Sequence, residues 1–234
     1  QRGAGPDARA ALERLADALS KYQLLARGAD LPRAALAEGA VKLRMGDLDG
    51  AQIALQAAAA ADSIVRLSAQ ELLSEILVAR SARQQVAGLK TSALSAGDWF
   101  KVALLEVQGY NYNDAANSFM KAAGAAASAQ DQFAQDARFR SAWCHKEIGR
   151  ISTGAYGFKA VRETGAAYKS LAYAAGIEEG VCLARIGRYA ESVAVCREVA
   201  RQPAPDPGER GNKTLVDLLA LRQRQADRDV WVVK

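Results

Sequence analysis

The stretch GVCLARIGRYAESVAVCREV, residues 180–199, decides the fold. Gly180 sits within an apolar run, and seven residues on Gly187 interrupts it; Tyr189 follows, then Ser192, Cys196 and Val199 at three- and four-residue steps. Such steps line one face of a helix. A glycine at a helix end accepts the left-handed backbone that a tight reversal needs. The stretch therefore predicts two antiparallel helices joined at Gly187. Gly180 in the first and Ser192 in the second are small enough to let the pair approach closely.

The same offsets recur three more times. They pick out Gly39, Gly46, Leu48, Ala51, Leu55 and Ala58; then Ala103, Tyr110, Tyr112, Ala115, Phe119 and Ala122; then Ala142, Gly149, Ile151, Gly154, Phe158 and Val161. In each copy the apolar residue after the turn should plug the corner. The large residue four places beyond the second small one should fill the space between hairpins. Successive copies start 64, 39 and 38 residues apart, at Gly39, Ala103, Ala142 and Gly180. The wide first gap leaves room for one unmatched long helix or a degenerate pair. Around Leu72, Leu73, Ile76 and Leu77, residues 65–86 carry the helical period there.

Bulk properties agree with helices. Half of the 234 residues are hydrophobic, yet aromatics make up only 6%, and alanine, the best helix former, dominates the apolar half. All five prolines lie at 6, 32, 203, 205 and 207, leaving 33–202 free of the residue that most disrupts helices. The fold class expected is all-α, a right-handed α-solenoid of stacked antiparallel helical hairpins. Residues 1–31 should supply an N-terminal helix that packs on the first hairpin. Asp7 would be its N-cap, and Ala8, Leu12, Leu15, Leu19 and Tyr22 would form one face ending near Gly28. Residues 32–202 form the array, 203–211 a Pro/Gly loop, and 212–234 a capping helix opened by Asn212, with an extended tail.

The segments RIGRYAESVAVCREV (185–199) and GYNYNDAANSFMKAA (109–123) resemble the turn and second helix of a tetratricopeptide repeat. Trp99, four residues before Ala103, stands where that family favours a large aromatic. The family period is about 34 residues, so the longer spacing here implies longer helices or turns. The resemblance implies a module that binds other proteins on the concave face lined by the first helix of each hairpin. That face would carry Phe100 and Leu104, Phe139 and Trp143, then Ile177 and Val181. An apolar trough of this kind suits an amphipathic helix or an extended segment from a partner. The family's clamp for acidic chaperone tails uses Asn and Lys here, and none of the matching positions is Asn. Two other readings of the stripe stand: ordinary core between hairpins, or a trough filled by the chain's own last helix.

Chemistry is sparsely represented. His145 is the sole histidine, and its neighbour Cys144 would point about 100° away on a helix. The GAGPDA start lacks the strand that a dinucleotide fingerprint needs. GLKT at 88–91 and GNKT at 211–214 lack the glycine spacing of a phosphate loop. No catalytic residue, metal site or cofactor is expected. A net charge of +5 permits contact with RNA or an anionic surface without demanding it. Pentatricopeptide repeats share the hairpin plan and carry Gly-Arg turns like Gly187-Arg188, so RNA binding is the rival expectation; it would need polar base-reading side chains on a face that is apolar here. Three cysteines, Cys144, Cys182 and Cys196, suit a reducing soluble compartment, cytoplasm or mitochondrial matrix. No apolar run is long enough to span a bilayer. The start at Gln1 leads us to expect a processed or trimmed chain. The function expected is a non-catalytic interaction scaffold, adaptor or accessory subunit of a larger complex.

Overall fold

A computed structural model describes residues 8–27, 30–60, 64–89, 94–165 and 167–202. Ten α-helices occupy them: α1 (Ala8–Leu25), α2 (Asp30–Arg44), α3 (Leu48–Ala59), α4 (Ile64–Leu89), α5 (Ala96–Gln108), α6 (Tyr112–Gly124), α7 (Gln132–Glu147), α8 (Ile151–Thr164), α9 (Lys169–Arg185) and α10 (Tyr189–Ala200). Short polar side chains open several of them. Asp47 accepts the Gly50 N–H ahead of α3, and Asp131 accepts that of Phe133 at α7. Ser95 and Asp98 exchange bonds at α5, where the Asp98 carboxylate accepts from the Ser95 N–H and hydroxyl while the Asp98 N–H donates to Ser95 Oγ. Each such cap is worth about 1 kcal/mol.

The four reversals share one geometry. At Gly46, Tyr110, Gly149 and Gly187 the backbone is left-handed, with φ of 78°, 58°, 85° and 79°. The N–H of the residue after each bonds the carbonyl five residues back: Asp47 to Lys42 (3.0 Å), Asn111 to Glu106 (2.8 Å), Arg150 to His145 (2.9 Å) and Arg188 to Leu183 (2.9 Å). The turn residue's own N–H bonds the carbonyl three back in every case. This is the Schellman closure, which satisfies carbonyls otherwise orphaned at a helix end. Tyr110 adopts it at a steric cost of about 1–2 kcal/mol. Its phenol donates to Glu75 at 2.8 Å, and its ring packs on the core between α2 and α4.

Between the turns the small residues meet as the spacing requires. A methyl on Gly39 would lie 2.5 Å from the Leu55 side chain and 3.3 Å from the Ala51 carbonyl. One on Gly180 would lie 2.7 Å from the Cys196 sulfur, and one on Gly154 3.1 Å from the Ala142 carbonyl. Ala103 and Ala115 are wholly buried, and so are Leu55, Phe119 and Phe158 or nearly so. The corner residue varies more. Leu48 is buried, Tyr112 and Ile151 are half-buried, and Tyr189 of the last described hairpin is exposed.

Consecutive helices pack within two compact units, one of residues 8–89 with 105–111, the other of 94–104 with 112–202 among those described. In the first, α1 lies on α2, α2 on α3 and α3 on α4, while α2 also touches α4. The wide gap between copies is filled by the single 26-residue helix α4. Its Arg83 guanidinium donates to the carbonyls of Gly46 and Gly109, both at 2.9 Å, clamping two turns at once. In the second unit α6 to α10 pack each on the next, and α7 reaches α9. Thus the fold is all-α, with helices packed in sequence as in an α-solenoid of hairpins.

The expected single face of α1 divides. Leu12 and Leu19 are half-buried toward α2, whereas Leu15 and Tyr22 are exposed. The expected N-cap Asp7, the loop at 203–211 and the capping helix at 212–234 lie outside the described residues.

Candidate interaction surface

All six residues of the expected trough fall in the second unit, where their exposure differs widely. Phe139 is wholly buried, its ring edge-on to Phe158 with centroids 5.2 Å apart. Trp143 is 4% exposed and meets Tyr112 edge-on at 5.7 Å. Both belong to the core, because an aromatic at this register reaches across to the neighbouring helix. Phe100 is half-buried, 5.2 Å from Phe119 and 5.1 Å from Phe133, with the Arg140 guanidinium over its face. Ile177 is half-buried against Leu183, Val195 and Val199. Only Leu104 and Val181 show substantial surface, 41% and 38%.

Charged side chains occupy places the apolar pattern left unassigned. Lys146 of α7 donates to Glu178 of α9 at 3.0 Å and lies 3.6 Å from Glu147, with Lys146 and Glu178 both more than nine-tenths buried. Arg162 of α8 donates to Glu179 of α9 at 2.8 Å and to Glu198 of α10 at 2.9 Å. The Glu179 hydrogen bond, outweighing the cost of burial, holds the guanidinium above its usual range. These bonds cross between helices 17 to 36 residues apart. The only hint in the sequence is the paired acids Glu178-Glu179 inside an otherwise apolar run.

In the first unit Glu38 of α2 is the counterpart. It is 6% exposed and accepts from Ser20 (2.6 Å) and Gln23 (2.5 Å) of α1 and forms an ion pair with Lys42 (2.6 Å). Burial pushes its carboxyl up, but the bonds from Lys42, Ser20 and Gln23 together prevail and hold it below the usual range. Burial and then the charge of Arg150 keep the His145 imidazole below its ordinary value, and its Nδ1 is buried with no hydrogen-bond partner. Cys144 beside it is wholly buried. Among the described residues no three His, Cys, Asp or Glu groups converge as metal ligands, and no helix is long and apolar enough to cross a membrane.

Large apolar side chains reach the surface in both units, Tyr156, Tyr189 and Met120 among them in the second, and the exposed leucines and isoleucine gather on other helices. Leu24 and Leu25 of α1 are each 78% exposed, Ile53 of α3 is 71% and Leu77 of α4 is 67%. Leu15, Tyr22 and Leu67 add to them. Their helices all belong to the first unit.

Comparison with known proteins yields no relative: no protein-family model, curated protein or solved structure matches the chain.

Proposed function

We propose that this chain is a non-catalytic scaffold for protein–protein interaction, built from divergent tetratricopeptide-like hairpins and serving as an accessory subunit of a larger assembly. One observation carries the reading. Helices that are already packed on one side still present large leucines and isoleucine to solvent, concentrated on α1, α3 and α4. So much exposed apolar surface within one unit suits a face that a partner covers. The repeated hairpin supports it too, since stacked helical repeats provide extended binding faces. The trough read from the second unit is not part of this proposal, because Phe139 and Trp143 are core. Three free thiols, two of them buried, agree with a reducing compartment, cytoplasm or mitochondrial matrix.

The test is purification of the tagged chain under native conditions, followed by native mass spectrometry. A complex of fixed stoichiometry that survives salt supports the scaffold. A monomer that recovers nothing, or a salt-sensitive shift of RNA on a gel, would refute it.

A further inference from the structure

The outward face of α1 is a heptad seam. Ala11, Leu15, Ala18, Tyr22 and Leu25 follow one another at steps of four, three, four and three, and every one is exposed. Leu15 is 43% exposed, Tyr22 49% and Leu25 78%. This is the spacing by which one helix receives another. It is distinct from the inward line Leu12, Ala16, Leu19, Gln23 and Ala26, of which Ala16 and Ala26 are buried. Around the helix the two lines, one residue out of step, stand about 100° apart. The seam therefore remains open while α1 is held to α2 by Glu38.

Charge selects what can lie there. Along the edge of the seam away from α2 run Arg14 and Lys21, both exposed. Among the described residues Arg14 Nε donates to the Ala10 carbonyl at 3.2 Å, and Lys21 meets Asp17 at 2.7 Å in a pair that is 72% and 63% exposed. Such exposed pairs yield readily to a better partner. A second copy of this chain on the same face would form a two-fold contact. In an antiparallel pair centred on Ala18 the cationic edge would then meet itself, Lys21 of one copy against Arg14 of the other. Like charges across such an edge repel.

We propose that the α1 seam docks an amphipathic helix of another protein, apolar at its a and d positions and acidic along the flanking edge. The seam from Ala11 to Leu25 is about 21 Å long at 1.5 Å per residue, which matches a partner of two to three heptads. The inference rests on the scaffold reading and names the surface and the partner chemistry within it.

The probe is a fluorescent synthetic helix of three heptads, Leu at a and d and Glu at e and g, titrated with the full chain by anisotropy. Saturable binding is expected, weakened at least tenfold by Leu15→Glu with Leu25→Glu and much weaker for the same peptide with Lys at e and g. Arg14→Glu with Lys21→Glu should reverse the preference toward the Lys peptide. Circular dichroism checks that the variants keep their helices, as their exposed positions predict. Absence of saturable Glu-peptide binding, equal binding to the double Glu variant, or a dimer by light scattering that Leu15→Glu dissolves would each overturn the seam. If the native complex persists in the Leu15→Glu, Leu25→Glu chain, the seam fails while the scaffold reading stands. If the tagged wild-type chain recovers no partner although the peptide binds at the seam, the scaffold reading fails instead.

Discussion

Gly157 offers a sharp test of how the hairpins nest. It lies within α8, and a methyl added there would come 2.7 Å from the Cβ of Ala142 on α7. Carbon atoms in contact prefer about 3.5–4.0 Å, so Gly157→Ala must push α8 outward by roughly 1 Å. Overpacking of this kind costs about 1–3 kcal/mol. Helix propensity works the other way, because Gly→Ala favours a helix interior by about 0.8–1.0 kcal/mol. Gly88 near the end of α4 separates the two effects, since a methyl there meets nothing within 4 Å. Gly88→Ala should stabilise by at most about 1 kcal/mol. The difference between the variants then isolates the contact, about 1–3 kcal/mol, or very roughly 2–12 °C in Tm for a chain of this size. Urea unfolding followed by far-ultraviolet circular dichroism measures it. If Gly157→Ala proves as stable as Gly88→Ala, the close approach of α7 and α8 is wrong.

Three further outcomes follow from named contacts. Glu38→Ala leaves Ser20, Gln23 and Lys42 without their acceptor and should cost about 2–3 kcal/mol, with exchange of the α1 amides rising most. Because the bonds from Lys42, Ser20 and Gln23 hold the folded Glu38 carboxyl below its ordinary value, its contribution is present above the unfolded-state value and is lost as pH falls through the lower folded one. Arg83→Lys keeps the charge but cannot span the Gly46 and Gly109 carbonyls in the same fork, so denaturation midpoints should drop by the equivalent of about 1–2 kcal/mol. Lys146→Met alone strands the buried Glu178 and should destabilise by about 3–5 kcal/mol, whereas Lys146→Met with Glu178→Leu should recover most of that loss in a double-mutant cycle.

The turns were legible in the sequence because their chemistry is local. A small residue followed seven places later by Gly46, Gly149 or Gly187 announces a reversal, and the structure closes each with the same pair of bonds. Even Tyr110, the one turn position without glycine, was found by its place in the register. Which face looks outward was not legible. Phe139 and Trp143 recur at helical steps, and those steps are the same for a groove and for a core; only the neighbouring Phe158 and Tyr112 decide between them. The α1 face divides for the same reason, since Leu12 and Leu15 lie within one broad apolar arc and only Leu12 is half-buried. Ion pairs such as Lys146 with Glu178 join residues 32 apart, a separation at which no spacing rule operates. The division of α5 between two units at residues 104 and 105 likewise leaves no mark in composition.

Methyl-resolved nuclear Overhauser spectroscopy on the intact chain probes the nesting of the hairpins most directly. Cross-peaks are expected from the Ala142 methyl to the Gly157 α-protons and from the Leu55 methyls to the Gly39 α-protons, pairs that the structure holds in contact. A fully helical spectrum in which both sets are missing would contradict the account, for then the small residues would not be where paired helices meet.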